Sequence, residues 1–76
     1  MTDEIVGTNS REITINDLTS AIIDGNTYYY FKDNNGQKYK VSIKTAKNKL
    51  PFIKNGDVIN IKFDKEVDVI TITEIE

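Results

Sequence analysis

The chain has 76 residues, with ten basic and twelve acidic side chains and a net charge of −2 at neutral pH. It contains no His and no Cys, which excludes imidazole-based catalytic triads, thiol nucleophiles, disulfides and the usual structural zinc sites. A domain of this size buries only about 60% of the surface that its unfolded chain exposes, so a deep substrate cavity is not expected and we predict that the protein is not an enzyme.

The apolar composition points to one kind of secondary structure. Ile, Val and Thr together number 25, whereas there are only two Ala and two Leu. Branching at Cβ restricts χ1 in a helix and suits the pleated surface of a sheet. The composition therefore predicts an all-β domain.

The N-terminal part shows little periodicity. Residues 1–12 include Gly7-Thr8-Asn9-Ser10, and we predict a flexible leader there, followed by a single β domain over residues 13–76. The first strand is expected to start near Ile13. The polar segment 16–20 interrupts it, and is interpreted as a bulge, a turn or one helical turn.

Two turn signals follow. Asp24-Gly25-Asn26 predicts a hairpin turn, because Gly and Asn tolerate positive φ, and a second strand should run from Thr27 to Lys32. Asp33 and Gly36 stand at the first and fourth positions of the next turn, which favours a type I turn closed by a glycine bulge. A third strand, from Gln37 to Lys44, is expected to return from it.

The second half of the chain contains two further strands. Residues 45–54 lack a period of two, and Pro51 has no N–H for a central strand, so a crossing connection with a short turn of helix is predicted. Asn55-Gly56-Asp57 should turn the chain into a fourth strand over Val58–Phe63. An acidic turn then leads to a fifth strand over Val69–Ile75.

Five strands in this order are what a small OB-like Greek-key barrel needs, and closure removes the free edges of a short sheet. An SH3-like barrel or an open meander is the alternative, because the pairing of the first strand with the last cannot be read from the sequence. The predicted core consists of alternating apolar residues of all five strands: Ile22, Tyr29, Phe31, Tyr39, Val41, Ile43, Val58, Ile61, Phe63, Ile70 and Ile72.

Four segments carry a resemblance to a known group of domains. They are the Asp24-Gly25 turn, the hairpin from Tyr30 to Val41, the segment from Leu50 through Gly56-Asp57 to Ile61, and the terminal Ile72-Thr73-Glu74-Ile75. Over about residues 20–76 the chain resembles small OB-like modules of bacterial secreted proteins and lipoproteins. The resemblance implies an OB-like barrel and a non-catalytic module, and the interrupted segment 16–20 departs from the usual first strand.

Charge and aromatic residues concentrate in the middle of the chain. Residues 1–31, 32–54 and 55–76 carry net charges of −4, +6 and −4. A three-residue loop at 34–36 pairs Asp33 with Gln37 and places two tyrosines and three lysines on one face of the hairpin. A two-residue loop would instead turn Tyr28 and Tyr30 inward and place Tyr29 and Phe31 on this face. The candidate binding residues in the first register are Tyr28, Tyr30, Lys32, Lys38 and Lys40.

This face suggests two kinds of ligand. The leading prediction is a non-catalytic binding or interaction module of a bacterial surface or accessory protein, with a protein or surface ligand as partner. The alternative is a single-stranded nucleic acid, because OB domains hold bases on aromatic rings and phosphates on lysines. The net negative charge opposes the alternative, and Tyr and Lys neighbours also stabilise hairpins without binding anything.

No metal, cofactor or membrane span is predicted. The loop around Asp33 lacks the carboxylates of a calcium loop, because the position that needs a bidentate Glu is Ser42. Asp64, Glu66 and Asp68 are expected to form a solvated acidic loop. The chain has no apolar run of about 18 residues and no signal peptide at its start, so it is predicted to be soluble, with its compartment open.

Overall fold

The computed structural model describes residues 9–76, and their regular structure consists of β-strands and two short 3₁₀ turns. The strands are β1 (Asn9–Thr14), β2 (Asn16–Ile23), β3 (Asn26–Lys32), β4 (Lys38–Ser42), β5 (Val58–Phe63) and β6 (Val69–Ile75). The 3₁₀ turns, Ile43–Thr45 and Leu50–Phe52, lie in the connection between β4 and β5. The prediction of an all-β domain is confirmed, and no helix among these residues is long and apolar enough to cross a membrane.

The described strands form one six-stranded sheet in the order β1-β5-β6-β4-β3-β2. β4 and β6 are parallel, and the other neighbours are antiparallel. The sheet is not closed, so the predicted closed barrel of five strands is not confirmed. Only Ile15 separates β1 from β2 along the chain, although the two strands lie at opposite ends of the strand order. The sheet must therefore coil strongly to bring its ends together.

β2 contains an irregularity close to its junction with β1. The pairing of β2 with β3 shifts register between Asn16 and Thr19, and Asp17 has a φ of 55°. An extra residue in one strand and a left-handed conformation at Asp are the features of a β-bulge. Of the three interpretations of segment 16–20, the bulge is correct.

The start of the first strand differs from the prediction. β1 begins at Asn9, and residues 9–12 pair with β5, where Asn9 lies opposite Phe63 and Glu12 opposite Asn60. The predicted leader boundary after residue 12 is therefore too late, because pairing with a strand about fifty residues away extends β1 beyond what its own sequence indicates. Residues 1–8 of the predicted leader lie outside the described residues.

Both predicted hairpins are present. Asp24 and Gly25 have φ values of 52° and 79° and join Ile23 to Asn26 in a two-residue turn, which corresponds to type I′. In the next hairpin, Lys32 pairs with Lys38, which is the register of the three-residue loop.

β4 ends earlier than predicted, at Ser42 rather than Lys44. The Ser42 side chain accepts a hydrogen bond from the Lys44 N–H and starts the first 3₁₀ turn. The predicted bounds of the fourth and fifth strands are those of β5 and β6.

The core lies on the inner face of the coiled sheet, together with Leu50 from the connection between β4 and β5. Its buried residues are Ile13, Ile15, Phe31, Tyr39, Val41, Leu50, Ile61, Phe63, Ile70, Ile72 and Ile75. Tyr29 and Ile43 are partly buried and pack against it, as the prediction requires. Ile13, Ile15, Leu50 and Ile75 are core residues that the prediction omitted.

Two predicted core residues are wrong. Ile22 is 76% exposed and Val58 is 58% exposed. Ile22 lies opposite Thr27, beyond the point where β4 begins to pair with β3 at Tyr28, so no third strand covers it. Val58 lies on the outer face of β5, because Ile61 on that strand faces inward and side chains alternate.

Candidate functional site

The five candidate residues lie on one face of β3 and β4, which we call the Tyr/Lys face: Tyr28, Tyr30, Lys32, Lys38 and Lys40. Tyr30 lies opposite Lys40, and Lys32 lies opposite Lys38. Opposite residues of an antiparallel pair project to the same side of the sheet. Phe31 and Tyr39, which alternate with them, are buried in the core, so the Tyr/Lys face is the outer face.

Tyr28 and Tyr30 each remain partly accessible to a ligand. Tyr28 and Tyr30 are both half-buried. Their neighbours on β2 are short, with Ala21 opposite Tyr28 and Thr19 opposite Tyr30. No bulky side chain of β2 therefore lies directly opposite either ring.

A shallow depression marks one end of this face. Its volume is about 210 Å³, and its lining includes Tyr30, Lys32, Lys38 and Val69. Pockets that bury a drug-sized molecule have roughly 300–1,000 Å³. The depression therefore suits one ring or side chain of a larger ligand rather than a whole cofactor.

The lysines of the Tyr/Lys face are poorly neutralised. Lys32 Nζ lies 3.8 Å from Asp17 Oδ2, and both side chains are exposed, so this ion pair contributes little. Lys38 and Lys40 form no ion pair within residues 9–76. The face thus presents positive charge on a protein whose net charge is negative.

The position of two of these lysines is unfavourable for the hairpin itself. Lys32 and Lys38 are directly opposite each other on neighbouring strands. Like charges in such a pair destabilise a sheet, whereas opposite charges stabilise it by about 0.2–1 kcal/mol. A purely structural role for the Tyr/Lys face accounts for this pair only through the exposed Lys32–Asp17 ion pair, which contributes little.

A second cluster of polar side chains was not anticipated from the sequence. Arg11 donates through Nη1 to the Tyr39 hydroxyl (3.0 Å) and through Nη2 to Glu66 Oε1 (2.6 Å). The Tyr39 hydroxyl donates to Asp33 Oδ2 (2.7 Å). The guanidinium carbon lies 4.8 Å from the centre of the Phe63 ring. The cluster joins β1, the turn between β3 and β4, and the loop between β5 and β6.

The charges in this cluster are stabilised by one another. The hydrogen bonds to Glu66 and Tyr39 raise the pKa of Arg11 further above its usual range. Burial acts against ionisation of Asp33, but hydrogen bonds from Tyr39 and two backbone N–H groups leave the pKa of its carboxyl below the usual 3.8. Burial raises the pKa of the Tyr39 hydroxyl above 10.0. Asp33 is therefore ionised at neutral pH and fully engaged, which suits a structural role and not that of a general acid.

Within residues 9–76 no group of three or more His, Asp or Glu side chains is placed to hold a metal ion. Of the three acidic loop residues considered from the sequence, Glu66 is engaged by Arg11.

Comparison with protein-family models, with curated proteins and with solved structures finds no match to this chain. The resemblance to OB-like modules remains a prediction that rests on residues 20–76. The function is therefore inferred from the positions and the chemistry of the side chains.

Proposed function

We propose that the protein is a non-catalytic binding module that receives an anionic partner on its Tyr/Lys face. The observation that carries this proposal is the direct opposition of Lys32 and Lys38. The arrangement costs stability in the free protein, and an anionic group placed between the two ammonium groups would relieve the repulsion. The depression beside them, which Tyr30 and Val69 also line, offers room for an apolar or aromatic part of the same ligand.

We further propose that the sheet has OB-like connectivity. If β1 and β2 are counted as one bent strand, five strands follow in the order 1-2-3-5-4, and the third and fifth are parallel. The Tyr/Lys face then belongs to the second and third strands, the face on which OB domains bind oligonucleotides and oligosaccharides. Together with the resemblance of residues 20–76, this supports a module of a bacterial surface or accessory protein.

The leading partner is a protein or surface ligand that carries acidic groups. Lysine ammonium groups are point charges that attract carboxylates, phosphates and sulfates without demanding one geometry. The chain is acidic on both sides of the basic segment. These acidic regions weaken the long-range attraction between the protein and a highly charged anionic polymer such as nucleic acid.

Single-stranded nucleic acid is the second candidate, and the spacing of the tyrosines favours it. Tyr28 and Tyr30 are two residues apart on β3, which corresponds to about 7 Å at a rise of 3.2–3.4 Å per residue. This is about twice the 3.4 Å base step of a nucleic-acid strand. Two rings at that spacing can each stack a base of an extended strand, for about 1–3 kcal/mol per base.

Binding of defined probes to the full chain tests both candidates. At low salt, near 20 mM, where screening is least, we expect poly-glutamate or a fluorescent oligothymidylate to bind. The double variant Lys38→Ala/Lys40→Ala should weaken binding at least about fivefold, roughly 1 kcal/mol. The matched control, Lys44→Ala/Lys47→Ala, removes the same charge from exposed positions outside the face and should change affinity less than about twofold.

The tyrosines separate the two classes of partner. If the ligand is nucleic acid, Tyr30→Ala should cost about 1–3 kcal/mol in oligothymidylate binding and leave the salt dependence nearly unchanged, because stacking releases no counterions. If the ligand is an acidic protein, Tyr30→Ala should affect poly-glutamate binding little and the oligonucleotide should bind no better than poly-glutamate. Equal losses for the face variant and the control variant would contradict the Tyr/Lys face as the binding site.

A further inference from the structure

β2 lies at one end of the described sheet and has a free edge. It pairs with β3 on one side. On its other side, the Leu18 N–H donates to Asn55 Oδ1 at 2.8 Å. Beyond Leu18, among residues 9–76, no group is bonded to the outer edge of β2.

The backbone groups that face this edge follow from the hairpin turn. A two-residue type I′ turn makes its flanking residues, Ile23 and Asn26, a hydrogen-bonded pair. Backbone groups alternate along a strand, so Ile23, Ala21 and Thr19 point to β3. The N–H and C=O groups of Ser20 and Ile22 then point to the free edge. The outward Leu18 N–H agrees with this alternation.

The side chains of this edge are uncharged, and two of them are exposed isoleucines. Ile22 and Ile23 are 76% and 47% exposed, and as adjacent strand residues they lie on opposite faces. No Pro, Lys or acidic residue occurs from Leu18 to Ile23. Natural proteins protect edge strands with such residues, as β1 is protected at the other end of the sheet by Arg11 and Glu12.

We infer that the free edge of β2 pairs with β2 of a second copy of the chain. The strands run antiparallel about a twofold axis that passes between the two Ala21 residues. Ser20 of each copy then lies opposite Ile22 of the other, and each of these two residue pairs exchanges two N–H···O=C bonds. The N–H and C=O groups of both Ser20 and Ile22 are satisfied in this way.

The two neighbouring antiparallel registers of this strand pair are less favourable, because each places an edge residue opposite a residue that cannot pair with it. A shift toward the turn places Ser20 opposite Asp24, whose φ of 52° takes it out of strand conformation. A shift in the other direction places Ile22 opposite Leu18, whose N–H is already bonded to Asn55. The proposed register also opposes no like charges, because the paired segment carries none.

A second copy fits this edge because the edge is self-complementary. The short side chain of Ser20 lies opposite Ile22, and that of Thr19 lies opposite Ile23, so each exposed isoleucine meets a small residue of the other copy. The paired segment is short and its area is well below that of a standard interface. The dimer is therefore expected to be weak and to form as the protein concentration rises.

Sedimentation equilibrium over about 10 μM to 1 mM tests the dimer. We expect the average mass of the wild-type chain to rise toward that of two copies. Ile22→Lys, at an exposed position that folding does not require to be apolar, should raise the dissociation constant at least tenfold. Val58→Lys is the matched control, because Val58 is also exposed but β5 is paired on both sides. A monomer at all concentrations, or equal effects of the two variants, would overturn the inference.

The absence of native cysteine allows a second test of the register. In the proposed dimer the two Ala21 residues form a non-hydrogen-bonded pair, with Cα atoms about 4.5 Å apart. Ala21→Cys should therefore oxidise to a covalent dimer. Thr19→Cys, on the same face, should not, because the two substituted positions lie about 13 Å apart along the strands. Crosslinking of Thr19→Cys at the same rate as Ala21→Cys would refute the proposed pairing.

Discussion

Asp33 shows how one side chain organises both a turn and a tertiary contact. Its Oδ1 accepts hydrogen bonds from the backbone N–H groups of Asn35 (2.8 Å) and Gln37 (3.0 Å). Its Oδ2 accepts the hydroxyl of Tyr39, which in turn accepts from Arg11. The first set fixes the three-residue loop, and hence the register that assembles the Tyr/Lys face. The second set connects that loop to β1.

The pH dependence of stability should report on this carboxylate. Its pKa is lower in the folded protein than the usual 3.8, so Asp33 contributes stability above the unfolded pKa and loses it as the pH falls through the folded pKa. We expect Asp33→Asn to lower the free energy of unfolding at pH 7 by about 1–2 kcal/mol. It should also flatten the loss of stability between about pH 5 and pH 2. Urea denaturation followed by circular dichroism measures both effects.

Asp68→Asn provides the control for the Asp33 experiment. Asp68 is an exposed acidic residue in the loop between β5 and β6. Its replacement removes one negative charge, as Asp33→Asn does, and should leave the stability at pH 7 within about 0.5 kcal/mol of the wild type. A pH profile of Asp33→Asn parallel to that of the wild type would show that the folded protein does not stabilise the charge on Asp33.

At the scale of the elements, the junction of β1 and β2 consists of a single residue, Ile15. Ile15 is fully buried. Its N–H donates to the Asp57 carbonyl (2.9 Å), and its carbonyl accepts from the Gly56 N–H (2.8 Å). One residue thus holds the ends of two strands against the turn that precedes β5.

Truncation of this residue should be among the most damaging single changes. Ile15→Ala removes buried methyl and methylene groups and leaves a cavity, which costs about 2–5 kcal/mol. Val58→Ala, on the exposed face of β5, should cost less than about 0.5 kcal/mol. Urea denaturation of the two variants gives the comparison. Similar losses at the two positions would contradict the assignment of Ile15 to the core.

The sequence was sufficient for elements whose boundaries are set by local turns. β5 and β6 have the predicted bounds, and β3 differs by one residue. It was not sufficient for the core of the first two strands. Ile13 and Ile22 are both β-branched residues of the predicted first-strand region. Only the pairing of β1 with β5 buries Ile13, whereas the position of Ile22 at the tip of β2 leaves it exposed.

The candidate residues follow the same division between local and distant interactions. The Tyr/Lys face was predictable because its register depends on a turn of a few residues between β3 and β4. The polar cluster around Arg11 was not predictable, because Arg11 donates hydrogen bonds to Tyr39 and Glu66, which are 28 and 55 positions away in the chain. No local pattern relates residues at such separations.

At the scale of the whole molecule, β6 occupies the middle of the sheet. It pairs with β5 on one side and β4 on the other. It therefore joins the pair β1-β5 to the three strands β4-β3-β2. Its inward residues Ile70 and Ile72 are buried, so the core on both sides depends on this strand.

Hydrogen exchange should follow this arrangement. Amides of central strands open only with global unfolding, whereas those at an unpaired edge open locally. In dilute solution we expect the amides of Ile70 and Ile72 to be among the slowest to exchange, and those of Ser20 and Ile22 to exchange at least about a hundredfold faster. Amide-resolved NMR measures the rates. Equal protection in β6 and at the edge of β2 would contradict the strand order.

The central position of β6 has a consequence for biosynthesis. Ribosomes add about 5–20 residues per second, and a segment inside the exit tunnel is not free to join a sheet. β6 is translated after the other described strands, yet it is the strand that lies between β5 and β4 in the sheet. A nascent chain can form its early hairpins, but no described strand pairs with both β5 and β4 until residues 69–75 emerge. Completion of the sheet therefore waits for β6, the last of the described strands to be synthesised.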